Sequence, residues 1–257
     1  SGFGETEINR PAYDNLIQGY AGAMSITGTD KENPVKSGIP IADLGAGLYA
    51  VIGILSAIQS REKNDSGEHV DISMLDTQVS LLTYMATMHF LSGENPEPIG
   101  NQHMNHVPFN SYRTSDGFIQ IGVVAEDFWP SLIEALDLRQ LDTEENKLRI
   151  GRLKNRENID KALQEVFITN STEHWLKILQ EHRVPCGPIN TLSETFQDVD
   201  LLKRNMIVEV LQDSGTSVKM PGNPVKISNH NEEFRRSPKL GEHTSEVFKS
   251  WLDKDIS

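Results

Sequence analysis

The chain has 257 residues, 37% of them apolar, with 24 basic and 37 acidic side chains and a net charge of −13. That length supports two compact domains or one large one, and the acidic balance argues against a nucleic-acid surface and an anionic membrane surface. The lone cysteine, Cys186, excludes an internal disulfide and fits a reducing cytoplasm.

Residues 1–40 are rich in Gly, Asn, Pro and Thr, with a short helix predicted over Tyr13–Met24 and a loop over Thr27–Gly38. Ile41–Arg61 reads as a helix that is apolar all round and therefore expected to be buried. Its longest apolar run, Leu48–Ile58, is too short to span a bilayer, and no basic segment precedes it as in a signal peptide. Asn64–Glu68 reads as a turn, His69–Ser73 alternates like a short strand, and Met74–Leu91 has helical spacing.

The character changes at Ser92–Pro98. Beyond it, two β-type runs flank Ser115-Asp116-Gly117, a hairpin signal. Helices are predicted at Glu126–Leu138, Asn155–Ile168 and Ser171–His182. In the last, Ser171 or Thr172 can cap, and Trp175, Leu176 and Leu179 face inward. Val184–Asn190 is a breaker-rich loop. From Met206 two strands flank Asp213-Ser214-Gly215, and a capped helix ends the chain over 241–252.

Few side chains offer chemistry. Asp43 precedes a long apolar run and is followed by Gly45 and Gly47. An aspartate there can cap the helix by accepting from its free N–H groups. A carboxylate kept ionised at a helix start is also a usable nucleophile, and the glycines allow close approach of a ligand. His103 and His106 lie three apart without a second metal-ligand motif. Cys186 has no partner histidine motif, and no phosphate-binding loop is present.

Seven stretches, taken together and in order, resemble family III CoA-transferases of the CaiB/BaiF type. They are SGFGE, AYDNLIQGYAGAMSITG, IADLGAGLYAVIGILSAI, GEHVDISMLDTQVSLL, GNQHMNHVPF, VPCGPIN and LGEHTSEV. The resemblance implies an α/β fold. Residues 1–90 would belong to a Rossmann-like large domain, 99–195 would form a small α+β domain, and 196–257 would return to the large one. It implies an interlocked homodimer, acyl-CoA and a carboxylic acid (possibly a dicarboxylate) as substrates, and no permanently bound cofactor or metal.

In the family an aspartate in an ADxxxG stretch attacks the thioester, which makes Asp43 the implied nucleophile. Tyr13 and Asp14 match the family's substrate-binding pair, and Gly100 and His103 sit in the loop implied to cover the site. The family's first βαβ half, with most of its CoA contacts, has no counterpart here. A second chain or that absent part is accordingly expected to pack on residues 1–90. The basic residues Lys36, Arg61, Lys63, Arg152, Lys154 and Arg156 are scattered, so residues 1–257 alone are expected to bind CoA weakly. A 2-methylacyl-CoA racemase or other isomerase of the same superfamily, or an inactive piece with a binding or structural role, are the alternatives.

Overall fold

A computed structural model describes residues 2–4 and 9–252, so Ser1 and Glu5 of the SGFGE stretch lie outside the described residues. The fold is mixed α/β, as expected, and its contacts divide the chain into two compact units, Ser1–Pro188 and Ile189–Ser257. The first unit holds two apolar clusters. One is small, around Phe3, Ile17 and Ala42; the other is large and runs from Val107 to Val184. The change of composition at 92–98 is thus a change of core.

Helix α1 (Asp14–Tyr20) buries Ile17 and Gln18. Helix α2 (Ile41–Asn64) is longer than predicted and ends at Asp65 in the left-handed conformation. The expectation that α2 is buried fails. Only Ala42 and Gly45 are buried, while Leu48 is 67% exposed and Leu55 61%. The reason is a segregation by size. A Cβ on Gly45 would sit 3.0 Å from Leu81 and Thr77, and one on Gly53 would sit 2.8 Å from Val70. The small residues thus seat α2 closely on the following segment, and its large side chains point elsewhere. By length and composition α2 is also apolar enough to cross a membrane, although Asp43 stands in its first turn and Arg61 and Lys63 in its last.

The strand expected at His69–Ser73 does not form, since no neighbouring strand is available to it among the described residues. Ser73 instead caps α3 (Met74–Leu81), accepting from the Asp76 N–H at 3.2 Å. The single helix expected over Met74–Leu91 is two, because Leu82 and Thr83 donate to carbonyls three residues back and Thr83 takes φ +50° before α4 (Tyr84–Ser92) begins.

The larger cluster is built as predicted around a hairpin. Strands β1 (Phe109–Arg113) and β2 (Phe118–Gly122) pair antiparallel, Ser111 facing Gln120. Helices α5 (Phe128–Leu136), α6 (Arg149–Lys154), α7 (Arg156–Phe167) and α8 (Thr172–Glu181) follow, of which α6 was not anticipated. Trp129, Leu132, Leu163, Phe167 and Leu179 are all buried. Ser171 caps α8 by accepting from the His174 N–H at 3.3 Å. Asp116 in the hairpin turn accepts from the Thr172 N–H at 2.8 Å and so ties sheet to helix. The loop expected at Val184–Asn190 contains a third strand, β3 (Cys186–Pro188), which pairs antiparallel with β2, Gly187 opposite Gln120. Residues extended beside an open strand edge pair with it whatever their intrinsic preference.

The second unit carries two short helices, α9 (Leu192–Thr195) and α10 (Val199–Lys203). The expected hairpin of β4 (Ile207–Leu211) and β5 (Ser217–Pro221) follows, then α11 (Thr244–Leu252). Thr191 and Glu194 form a reciprocal capping box at α9.

Candidate active site

Asp43 is the third residue of α2, within its first turn rather than at its cap; the cap position is Pro40, which has no side-chain acceptor. The first-turn N–H of Ala42 is satisfied from outside, by Asp14 Oδ1 at 2.9 Å. The other oxygen of Asp14 accepts from Gln18 Nε2 at 2.6 Å, and Gln18 Oε1 accepts from the Ser37 N–H at 2.9 Å. Asp14 therefore has both oxygens engaged in holding the start of α2. Asp43 itself is exposed and has no hydrogen bond or ion pair among the described residues.

Tyr13, next to Asp14, is 71% exposed, and its hydroxyl has no partner among the described residues. Its carbonyl accepts from the Leu16 and Ile17 N–H groups and so starts α1. The structure thus brings Tyr13, Asp14 and Asp43 to one place, the junction of α1 with the start of α2. Replacing Asp14 with alanine strands the Ala42 N–H and the Gln18 amide. We expect a loss of about 1 kcal/mol, the usual worth of a helix cap, read as a lower urea midpoint. Asp14→Asn, which keeps an acceptor, should lose less.

Gly100 and His103 are held by other partners. Gly100 has φ +63°, a conformation that favours glycine, and its N–H donates to Gly28 O at 2.7 Å. His103 Nδ1 accepts from the Asn105 N–H at 3.0 Å, and its ring lies 4.7 Å from that of His106 and 5.3 Å from Phe109. No hydrogen bond joins either residue to Asp43 among the described residues. Burial, and then the neighbouring His106 and Arg156, hold the His103 imidazole below its ordinary 6.5. A base whose folded pKa is depressed contributes stability that is complete above 6.5 and is lost as pH falls through the lower folded value. An NMR titration of the His103 ring should therefore show a midpoint under 6.5.

Two kinds of residue around this region were not legible. Gln18, unremarked in the sequence, is 2% exposed and bridges Asp14 to Ser37. Arg152 and Arg156, expected to be scattered charges, donate to backbone carbonyls of the 103–107 loop, as does Arg149. No pattern in the sequence signals this, since Arg149 and Arg152 stand on α6 while Arg156 opens α7.

Residues 1–244 match the family model of CoA-transferase family III. The chain belongs to that family. It is 30% identical to the human succinyl-CoA:glutarate CoA-transferase, over 99% of this chain and 59% of the human protein. It is also 30% identical to the acetyl-CoA:oxalate CoA-transferase of Acetobacter aceti, over 98% of this chain and 65% of that one. A CaiB/BaiF family crystal structure from Brucella suis superposes with a TM-score of 0.82 at 30% identity, covering 97% of this chain and 66% of that one. The chain thus spans about three-fifths of the human family member's length. The family read from seven short stretches is the family found.

Proposed function

We propose that this chain carries the nucleophile of an enzyme that moves CoA from an acyl-CoA to a free dicarboxylic acid. One observation carries the reading above the others: Asp43 is an exposed carboxylate, without a hydrogen bond or ion pair among the described residues, in the first turn of a helix and within the family's ADxxxG stretch. Asp43 Oδ attacks the thioester carbonyl, the C–S bond breaks, and CoA leaves as thiolate. The thiolate then attacks the aspartyl carbonyl of the resulting anhydride, which releases the first acid and leaves an aspartyl-CoA thioester. The acceptor carboxylate attacks that thioester and frees the thiolate again. Finally the thiolate attacks the acceptor's acyl carbon and restores Asp43. No net proton is gained or lost, and each intermediate keeps the acyl group activated. Water must be kept out, or the anhydride and thioester hydrolyse.

A dicarboxylate acceptor is supported by relatives named for glutarate, oxalate and mesaconate. The apolar ridge of α2 supports a second element of the reading: in the working enzyme it is covered by protein, either a second copy in a homodimer or the part of the relatives' fold that this chain does not span. The test uses the full-length protein with succinyl-CoA and glutarate, followed by hydroxylamine trapping and intact-mass measurement. Formation of glutaryl-CoA with a trappable adduct on Asp43 is expected. Deuterium uptake at the α-carbon of a 2-methylacyl-CoA without CoA exchange would point to a racemase and overturn the reading.

A further inference from the structure

Between α2 and α3 lies a small cavity of about 170 Å³. Its lining includes Tyr49 of α2, Asp71 and Ser73 of the segment between the helices, and Asp76, Thr77 and Ser80 of α3. Every polar side chain there ends in oxygen. Neither Asp71 nor Asp76 uses its carboxylate in a hydrogen bond or ion pair among the described residues. Thr77 turns its methyl to α2, where a Cβ on Gly45 would come within 3.0 Å of it. Its hydroxyl points away from that contact and has no partner among the described residues, although Thr77 is only 4% exposed. Ser73, also 4% exposed, accepts from the Asp76 N–H and donates to no group among the described residues. Tyr49 and Ser80 share one long hydrogen bond of 3.4 Å.

Such a lining calls for donors. A guanidinium carries several and accepts none, while carboxylate and hydroxyl oxygens accept. The size suits a single group, since a cavity of about 150 Å³ holds one benzene molecule. Calcium takes about six to eight oxygen ligands, and no cluster of three acidic, histidine or cysteine side chains able to hold a metal is present among the described residues. The cavity also borders the exposed face of α2. Tyr49 stands beside Leu48 and one turn before Ile52, which is 59% exposed. Protein laid over that face would close the mouth of the cavity over both carboxylates, a costly burial unless the cover brings a cation. The chain spans 59% of the human relative, so the relatives carry polypeptide without a counterpart here.

We propose that this cavity anchors an arginine side chain of the polypeptide that covers α2, namely the part of the relatives' fold that this chain does not span. Asp71 and Asp76 accept from its guanidinium, as does the Thr77 hydroxyl. The proposal rests on the covered-ridge reading above and not on CoA transfer. Apolar contact along α2 holds the cover, and the charge pair in the cavity fixes its register.

The test uses the full-length protein and arginine footprinting with phenylglyoxal, mapped by mass spectrometry. The parent is compared with Asp71→Asn combined with Asp76→Asn, and with Thr77→Val. Hydroxyl-radical labelling of Leu48 and Ile52 measures the cover, and both should be protected in the parent. One arginine outside residues 1–257, protected in the parent, should react about tenfold faster in the double variant, the scale of a lost charge-assisted hydrogen bond. Thr77→Val keeps the methyl at Gly45 and should free the same arginine by a smaller factor. A covered α2 with no responding arginine in either variant overturns the anchor. A responding arginine within residues 1–257 gives the cavity to a second copy, and one-to-one binding of methylguanidinium to the parent gives it to a free cation; either overturns the proposal. Free labelling of Leu48 and Ile52 in the parent overturns the cover and the anchor with it, and leaves the CoA-transfer reading standing.

Discussion

Replacing Asp43 with alanine or asparagine should lower CoA transfer by on the order of 10⁴-fold or more, the scale seen when a covalent nucleophile is removed. The folded protein should hardly register the change. Asp43 has no hydrogen bond or ion pair among the described residues, so folding loses only its attraction to the helix dipole, about 0.3–1 kcal/mol. That contrast makes the experiment decisive, because a large loss of rate with a near-parental unfolding curve separates chemistry from misfolding. Asp43→Glu is expected to be poor as well. One methylene moves the attacking oxygen by about 1 Å, and a misplacement of that size costs roughly 10²-fold. Transfer at parental rates in Asp43→Ala would remove the nucleophile from the mechanism.

The second large effect falls on stability. Arg152 is 1% exposed, and its guanidinium donates to three carbonyls and to Glu126 while lying over the Trp129 ring at 5.2 Å. Arg152→Met keeps the apolar stem but leaves three backbone carbonyls without their donor, while Glu126, 56% exposed, can turn to solvent. We expect a loss of about 3 kcal/mol or more, since each buried acceptor left unsatisfied costs about 1–3 kcal/mol, read as a fall in the thermal or urea midpoint. The exposed pair Arg139–Asp137 supplies the control; Arg139→Ala should cost less than about 1 kcal/mol. Acid should act through the same bond. Burial alone would push the Glu126 carboxyl up, but the hydrogen bond and charge of Arg152, with help from Arg149, outweigh it and hold the group below its ordinary 4.5. The resulting stability is present above 4.5 and is lost as pH falls through the lower folded value. In Arg152→Met that acid-sensitive contribution should disappear.

What the sequence revealed and what it concealed follow a physical division. Ser171, Trp175 and Leu179 announce α8 because a cap and a 3.6-residue period are local properties. The β1–β2 hairpin is legible for the same reason, with its turn residues standing between two β-type runs. The strand at Cys186–Pro188 is not, because β2 makes it by offering an edge, and nothing in three residues encodes that edge. His69–Ser73 shows the converse: the alternation is present and the partner is not. Asp43 stands out in the sequence through its family stretch, but the bond from Asp14 to the start of α2 does not. A cap supplied from 28 residues away leaves no pattern in a window the length of a helix. The hydrogen bonds from Arg149, Arg152 and Arg156 to the 103–107 loop are hidden by the same distance. Arg152 and Arg156 look like scattered charges until the loop at 103–107 is laid across them and Arg149.

The segregation of α2 by side-chain size also governs how the protein will behave in a test tube. Leu44, Leu48, Val51, Ile52 and Leu55 form an oily strip on a molecule that otherwise repels its own kind through a charge of −13. In dilute buffer the repulsion reaches well beyond the strip and keeps molecules apart. Raising the salt to 0.1 M shortens that reach to about 10 Å and leaves the attraction between strips untouched. Residues 1–257 prepared alone should therefore salt out at modest ionic strength and stay dispersed in mild detergent. Light scattering against sodium chloride concentration would follow the crossover directly.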